Sequence, residues 1–353
     1  MALTGFLNLW FVPHVELCRI LRDIYEHGMK VGDIYGARFS LLLHYRFAFY
    51  SGSEKLSILT KAYQQTMEKF LKYKTEGQYF IAIDISLLDS LTGCESEPYA
   101  ALEGSEFPCE ESLLSYLKSR KLQQSLVLLY LSRFMRSFWA GDYAEGNKHF
   151  ELAEELPSFK LPTVQYLHAM FYRGLALFQT YREGDGEDYF EKGKSILETM
   201  RRWEPNCKRT FENKFILLEA ECKSPRILDL RFFSLHSPDL QLTSVREDFA
   251  SSCNIVASKE SYVLSAKIAH NNGLLHEQGL AYELYGKFLK SIVEVDDARR
   301  YFLMACNCYS TWGAHAKVSA LLVEQNLTMA DQIEDVINSV VGDKHGRSEG
   351  VLM

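Results

Sequence analysis

Proline is scarce in this 353-residue chain, and none occurs between Pro13 and Pro98. A long stretch without proline leaves every backbone N–H free to hydrogen-bond, which suits a run of helices. Strict alternation of apolar and polar residues is missing throughout, so half-buried strands are not expected. No stretch reaches the roughly 18 consecutive apolar residues of a membrane-spanning helix. No basic patch stands out, and the net charge is −7, which argues against nucleic acid and anionic membrane as partners. The eight cysteines contain no Cys-x-x-Cys pair. No secretory leader is evident in MALTGFLNLWFVP, whose apolar run is short and free of basic residues. The expectation is a cytoplasmic protein with reduced thiols, packed mostly as small apolar side chains. The greasy start reads as the end of a longer stack, able to self-associate.

What is present is helical periodicity. Hydrophobic residues make up 47% of the chain and aromatics 13%, enough for a large core. Leu17, Ile20, Leu21 and Ile24 form one apolar stripe, and Leu56, Leu59, Tyr63, Met67 and Phe70 another. The stretch from Phe80 to Leu88 is apolar nearly all round, as in a central helix. Gly28 and Gly32 are placed to end the first helix and Asp33 to cap the next, while Gly141-Asp142-Tyr143 and Gly184/Gly186 read as turns between helices. Residues 93–109 read as an acidic Gly/Pro loop, and 224–245 as an irregular insertion. Met329, Ile333, Val336 and Val340 make a last amphipathic pattern, followed by a polar tail.

The best-defined stretch runs from Gly279 to Lys317. Tyr282, Tyr285, Gly286 and Leu289 mark one helix face, and Ala298, Phe302 and Ala305 mark the next. Small residues opposite large ones let two helices cross closely, the pattern of a tetratricopeptide-type pair of about 34 residues. The expected fold is all-α: a TPR-like α-solenoid of about fifteen antiparallel helices. Its parts are a helical-repeat region at 1–223, the insertion at 224–245, further repeats at 246–340 and a disordered tail at 341–353.

Catalytic signals are weak. Gly193-Lys194-Ser195 resembles the end of a phosphate loop, but Asp188 stands where the leading glycine belongs. Cys306 and Cys308 lie two apart on one helix and cannot chelate one metal together. His270 and His276 flank a turn without metal-ligand spacing. His27, His44, His149, His168 and His315 read as isolated surface or satisfied core residues. Asp84 and Asp89, on the apolar helix, are expected to face a helix end or loop amides rather than to act as acids. Glu212, Glu219, Glu221 and Lys214 read as a solvated or ion-paired face. No catalytic residue, cofactor or metal is expected.

Several runs carry a resemblance. They are Gly32-Asp33 with Ala37, Gly141-Asp142-Tyr143, HAMFYRGLAL from His168, Trp203-Glu204-Pro205-Asn206 and FENKFILLEAE from Phe211. HEQGLAYELYGKF from His276 and YSTWGAHAK from Tyr309 complete the set. Together they resemble the helical region downstream of the ATPase in serine/threonine kinase–STAND/AAA ATPase–sensor histidine kinase signalling proteins. Departures are Gly279, where that family has alanine, and the long 224–245 connection. The resemblance implies a non-catalytic regulatory arm that binds protein partners. The alternative is a fragment of a nucleotide-dependent kinase, ATPase or cyclase whose catalytic modules lie outside the chain. Tyr282, Lys287, Tyr309, Trp312 and Lys317 form the candidate interaction surface, weighed against core packing of the same aromatics.

Overall fold

The computed structural model describes residues 8–71, 77–100, 102, 107–161, 163–184, 186–224, 255–328, 330 and 331. The first residues of the apolar N-terminus, nearly all of the 224–245 insertion, the terminal amphipathic pattern and the tail lie outside the described residues. Within them the chain is all-helical, with fourteen α-helices and no strand. In order these are α1 (His14–Val31), α2 (Ile34–Ser51), α3 (Leu56–Leu71), α4 (Gly77–Thr92) and α5 (Glu110–Ser119). Next come α6 (Gln123–Ala140), α7 (Tyr143–Glu154), α8 (Val164–Glu183), α9 (Glu187–Trp203) and α10 (Lys208–Lys223). The last four are α11 (Ile255–Asn271), α12 (Leu275–Ser291), α13 (Val295–Trp312) and α14 (His315–Glu324).

Local chemistry sets the helix ends. Asp33 accepts from the Gly36 amide at 2.9 Å and Asp142 from the Glu145 amide at 3.1 Å, satisfying donors that a first turn leaves open. Gly32, Gly141 and Gly184 close α1, α6 and α8 in the left-handed region. Gly28 does not end α1 as a breaker. It lies inside the helix, where an added Cβ would meet Ala37 at 3.1 Å, so it serves a close crossing with α2.

Consecutive helices pack in pairs: α1 on α2, α3 on α4, α6 on α7, α8 on α9, α10 on α11 and α12 on α13. The α12–α13 crossing follows the small-to-large rule. A Cβ at Gly279 would sit 2.8 Å from the Tyr309 ring, and one at Gly286 2.8 Å from the Phe302 ring. Those glycines admit the aromatics.

Contacts also leap across the chain. α2 packs on α8, and α14 packs on α4 and α6. Trp312 at the end of α13 meets Phe49 of α2, with ring centroids 5.7 Å apart, and Trp139 of α6 at 6.0 Å. The expected central helix, α4, is well buried, yet α8 is buried along nearly its whole length and α2 almost as completely. One continuous apolar core therefore joins early, middle and late helices.

Candidate functional site

The five residues of the candidate surface do not form an exposed patch. Trp312 is 1% exposed and Tyr309 0%, and Lys317 is buried with them. Tyr282 and Lys287 are half-buried. The reason lies in Glu283, itself inaccessible on α12. Lys317 Nζ donates to its Oε1 at 2.9 Å, Lys287 Nζ stands 3.2 Å from the same oxygen, and the Tyr309 hydroxyl donates to Oε2 at 2.8 Å. Burial pushes this carboxyl upward, but Lys317 and Lys287 outweigh it and hold Glu283 at about 2. The cations face inward because a buried anion needs them.

The same device recurs between other helices. Asp84 of α4 accepts from Arg46 Nε of α2 at 2.8 Å and from the Tyr63 hydroxyl of α3 at 3.2 Å. Glu110 of α5 takes Arg133 and Arg136 of α6 together. Arg173 of α8 reaches Glu151 of α7 at 3.0 Å. Glu221 of α10 holds Arg182 and Gln179 of α8 and the Tyr262 hydroxyl of α11. Each pair ties one helix to another. Of the solvated or ion-paired face expected of Glu221 and Lys214, both residues are ion-paired, with Arg182 and Glu277 respectively, but they are buried rather than solvated. Glu219 of the same set does make an ordinary pair, with Lys223 at 3.3 Å. Asp84 likewise faces an arginine rather than loop amides, whereas Asp89 does reach the loop, through the Ser96 hydroxyl.

The densest polar cluster lies where α1, α2, α8, α10 and α12 converge. Its centre is Glu277, fully inaccessible at the first turn of α12. Lys214 Nζ approaches Oε1 at 2.7 Å and donates to Oε2 at 2.8 Å, and the Asn213 amide donates to Oε2 at 2.6 Å. Lys214 also donates to the Thr210 carbonyl at 2.7 Å. Three imidazoles surround this pair. His276 Nε2 lies 3.6 Å from Glu277 Oε1, and His168 Nδ1 lies 3.9 Å from it. His14 Nδ1 meets His168 Nε2 at 3.1 Å, and His14 Nε2 meets the Leu9 carbonyl at 3.2 Å.

Stacking fixes the rings. Tyr50 lies over His168 with centroids 4.6 Å apart, and Trp312 over His276 at 4.9 Å. Burial, joined by the charge of Lys214, pushes His14 down to about 3 and His168 well below the ordinary value. Burial also pushes His276 down to about 4 against the pull of Glu277. The rings are neutral at neutral pH. A cavity of about 10 Å³ opens beside them, between His14, Tyr50, His168, Thr210 and Lys214. That space suits one water molecule at most.

His168 is thus not isolated: His276, and His14, which carries no motif, complete its cluster. Their sequence separation leaves no spacing signal. Elsewhere, Gly193 of the phosphate-loop look-alike lies inside α9 against the Phe178 ring, so it offers no loop amides. The cleft beside it, about 490 Å³ between α9 and α10, is lined by charges that answer one another. Lys194 pairs with Glu191, Arg201 with Glu198 and Lys223 with Glu219. Among the described residues no group of three His, Cys, Asp or Glu is arranged to hold a metal, and no helix is long and apolar enough to cross a membrane. No family model, curated protein or solved structure matches the chain.

Proposed function

We propose that the chain is a TPR-like α-solenoid that serves as a non-catalytic protein-interaction and regulatory module in signal transduction, the arm of a STAND/AAA-type ATPase. The observation that supports this most is the α12–α13 pair, where Gly279 and Gly286 seat Tyr309 and Phe302. Small-to-aromatic crossings of this kind let helix pairs stack side by side, and stacked pairs offer broad surfaces to protein partners. The buried charges add to the reading. They are engaged with each other across helix interfaces, which suits holding an arrangement more than moving protons on a substrate. Partner contact then falls to the exposed apolar residues of the same end, Val256 and Val263 of α11 and Val293 and Val295 at the α12–α13 turn. They flank the Lys259–Glu294 pair, whose atoms lie 2.6 Å apart.

The test has two arms. The purified chain is assayed alone for ATP and GTP hydrolysis and is expected to show none. It is then added to a STAND-type ATPase module of the resembled class, with co-elution and hydrolysis rate as readouts. Turnover by the chain alone would overturn the proposal. So would an ATPase that neither co-elutes with the chain nor changes its rate.

A further inference from the structure

The His14–His168 contact can be read proton by proton. The Leu9 carbonyl is an acceptor only, so His14 Nε2, 3.2 Å away, carries a hydrogen and donates to it. A neutral imidazole has one N–H, so His14 Nδ1 is then a bare lone pair. His168 Nε2 at 3.1 Å must supply the hydrogen for that contact. This spends the single proton of His168 and leaves its Nδ1 bare. That atom has no hydrogen-bond partner and faces Glu277 Oε1, another acceptor, at 3.9 Å. The opposite tautomers fail, because His14 Nε2 would then press a lone pair on the Leu9 carbonyl. The row Leu9–His14–His168–Glu277 has three contacts and two protons.

We propose that the His14–His168 pair is a one-proton acid sensor, in which a single added proton, shared between the two rings, closes the open contact onto Glu277 in competition with Lys214. With that proton in place, His14 Nε2 donates to Leu9, one hydrogen lies between the rings, and His168 Nδ1 donates to Glu277. One N–H bond forms as an O–H bond of solvent hydronium breaks, and no other bond changes. A second proton finds no acceptor, so the pair takes one and stops. The other groups facing it set the threshold. Lys214 from α10 opposes the new charge and Glu277 from α12 favours it. His276 Nε2 approaches the same carboxylate oxygen, Oε1, at 3.6 Å, Tyr50 of α2 covers the His168 ring, and Tyr172 lies on α8 itself. Arg209, at the mouth of the small cavity, is turned to Glu16 of α1 at 3.0 Å. Two cations then share one buried carboxylate, which loosens the hold of α10 on α12.

The proposal is tested by nitrogen NMR of the full chain labelled at histidine, stepped from pH 8 down to acid unfolding. The expected result is Nε2–H for both rings at pH 8, then one shared midpoint below 6.5 at which both sets of resonances move. His168→Gln, which still donates to His14 but has no basic nitrogen, is expected to abolish that joint step. A His168 that carries its hydrogen on Nδ1 at pH 8 would overturn the proposal. Two separate midpoints would do the same, as would a long-lived water signal at His168 Nδ1 or unfolding before either ring gains a proton.

Discussion

Lys214 and Glu277, on α10 and α12, place Nζ 2.7 Å from Oε1 with neither side chain reaching solvent. Removing one member of such a pair strands the other charge, while removing both leaves an apolar contact. Lys214→Met is therefore expected to cost about 3–5 kcal/mol of folding stability. Lys214→Met/Glu277→Met together are expected to cost less than that single change. Urea unfolding of the single and double variants decides it, and a single variant within about 0.5 kcal/mol of the parent would show the pair to be idle.

Trp312 is inside the fold and in ring contact with Phe49, Trp139 and His276. Trp312→Ala is expected to lose about 3–5 kcal/mol, as a large-to-small change in a packed core does. Thermal melting reads this directly. An unaltered melting temperature would return Trp312 to the surface.

Gly52 ends α2 at φ +62°, and a Cβ there would stand 2.4 Å from His276 Nδ1. Gly52→Ala meets two penalties, the left-handed backbone and the ring, together about 2–4 kcal/mol. His276→Ala in the same chain removes only the second, so the two changes should be clearly non-additive. A strictly additive double-mutant cycle would contradict the contact.

Val293 is 73% exposed yet holds φ +67°, a conformation that a β-branched residue adopts only under strain. Val293→Gly is expected to raise stability by about 1 kcal/mol. A lower melting temperature for the variant would mean that the valine methyls matter more than the backbone.

Acid should weaken the fold in a defined window. His14 and His276 are held at about 3 and about 4 against an ordinary 6.5, so the unfolded chain takes up protons that the folded chain refuses. The stability they contribute is complete above pH 6.5 and is lost as pH falls below it. Each ring removes about 1.4 kcal/mol per pH unit until its folded value is reached. Glu283, held at about 2 against 4.5, loses its contribution only below pH 4.5. Urea midpoints between pH 8 and pH 5 therefore report the histidines, and a flat profile there would refute their neutral burial.

Helix positions were legible from glycine, proline and 3.6-residue spacing, because these act within a few residues. The crossing of Gly286 with Phe302 could be read for the same reason, since both ends lie in one short stretch. The charged interior could not. Lys214, Glu221 and Glu283 sit among other charges at helical intervals, as residues of a wetted face do, and their true partners are remote in sequence. The His14–His168 contact joins α1 to α8, and nothing near either residue names the other. Asp84 shows where prior odds fail, since a lone acid on an apolar helix looks like a cap until Arg46 is seen across from it.

The meeting of Trp312 with Phe49, and of Gly313 with Leu56, has a bearing on how the chain comes to be made. A growing polypeptide emerges from its start, and each finished helix pair of an open array could settle at once on the pair before it. Here the parts of α2 and α3 that meet Trp312 and Gly313 stay uncovered until α13 has been synthesised. During translation the early helices must wait, greasy and incomplete, for a counterpart near the far end, and this interval is when a chaperone would be needed most.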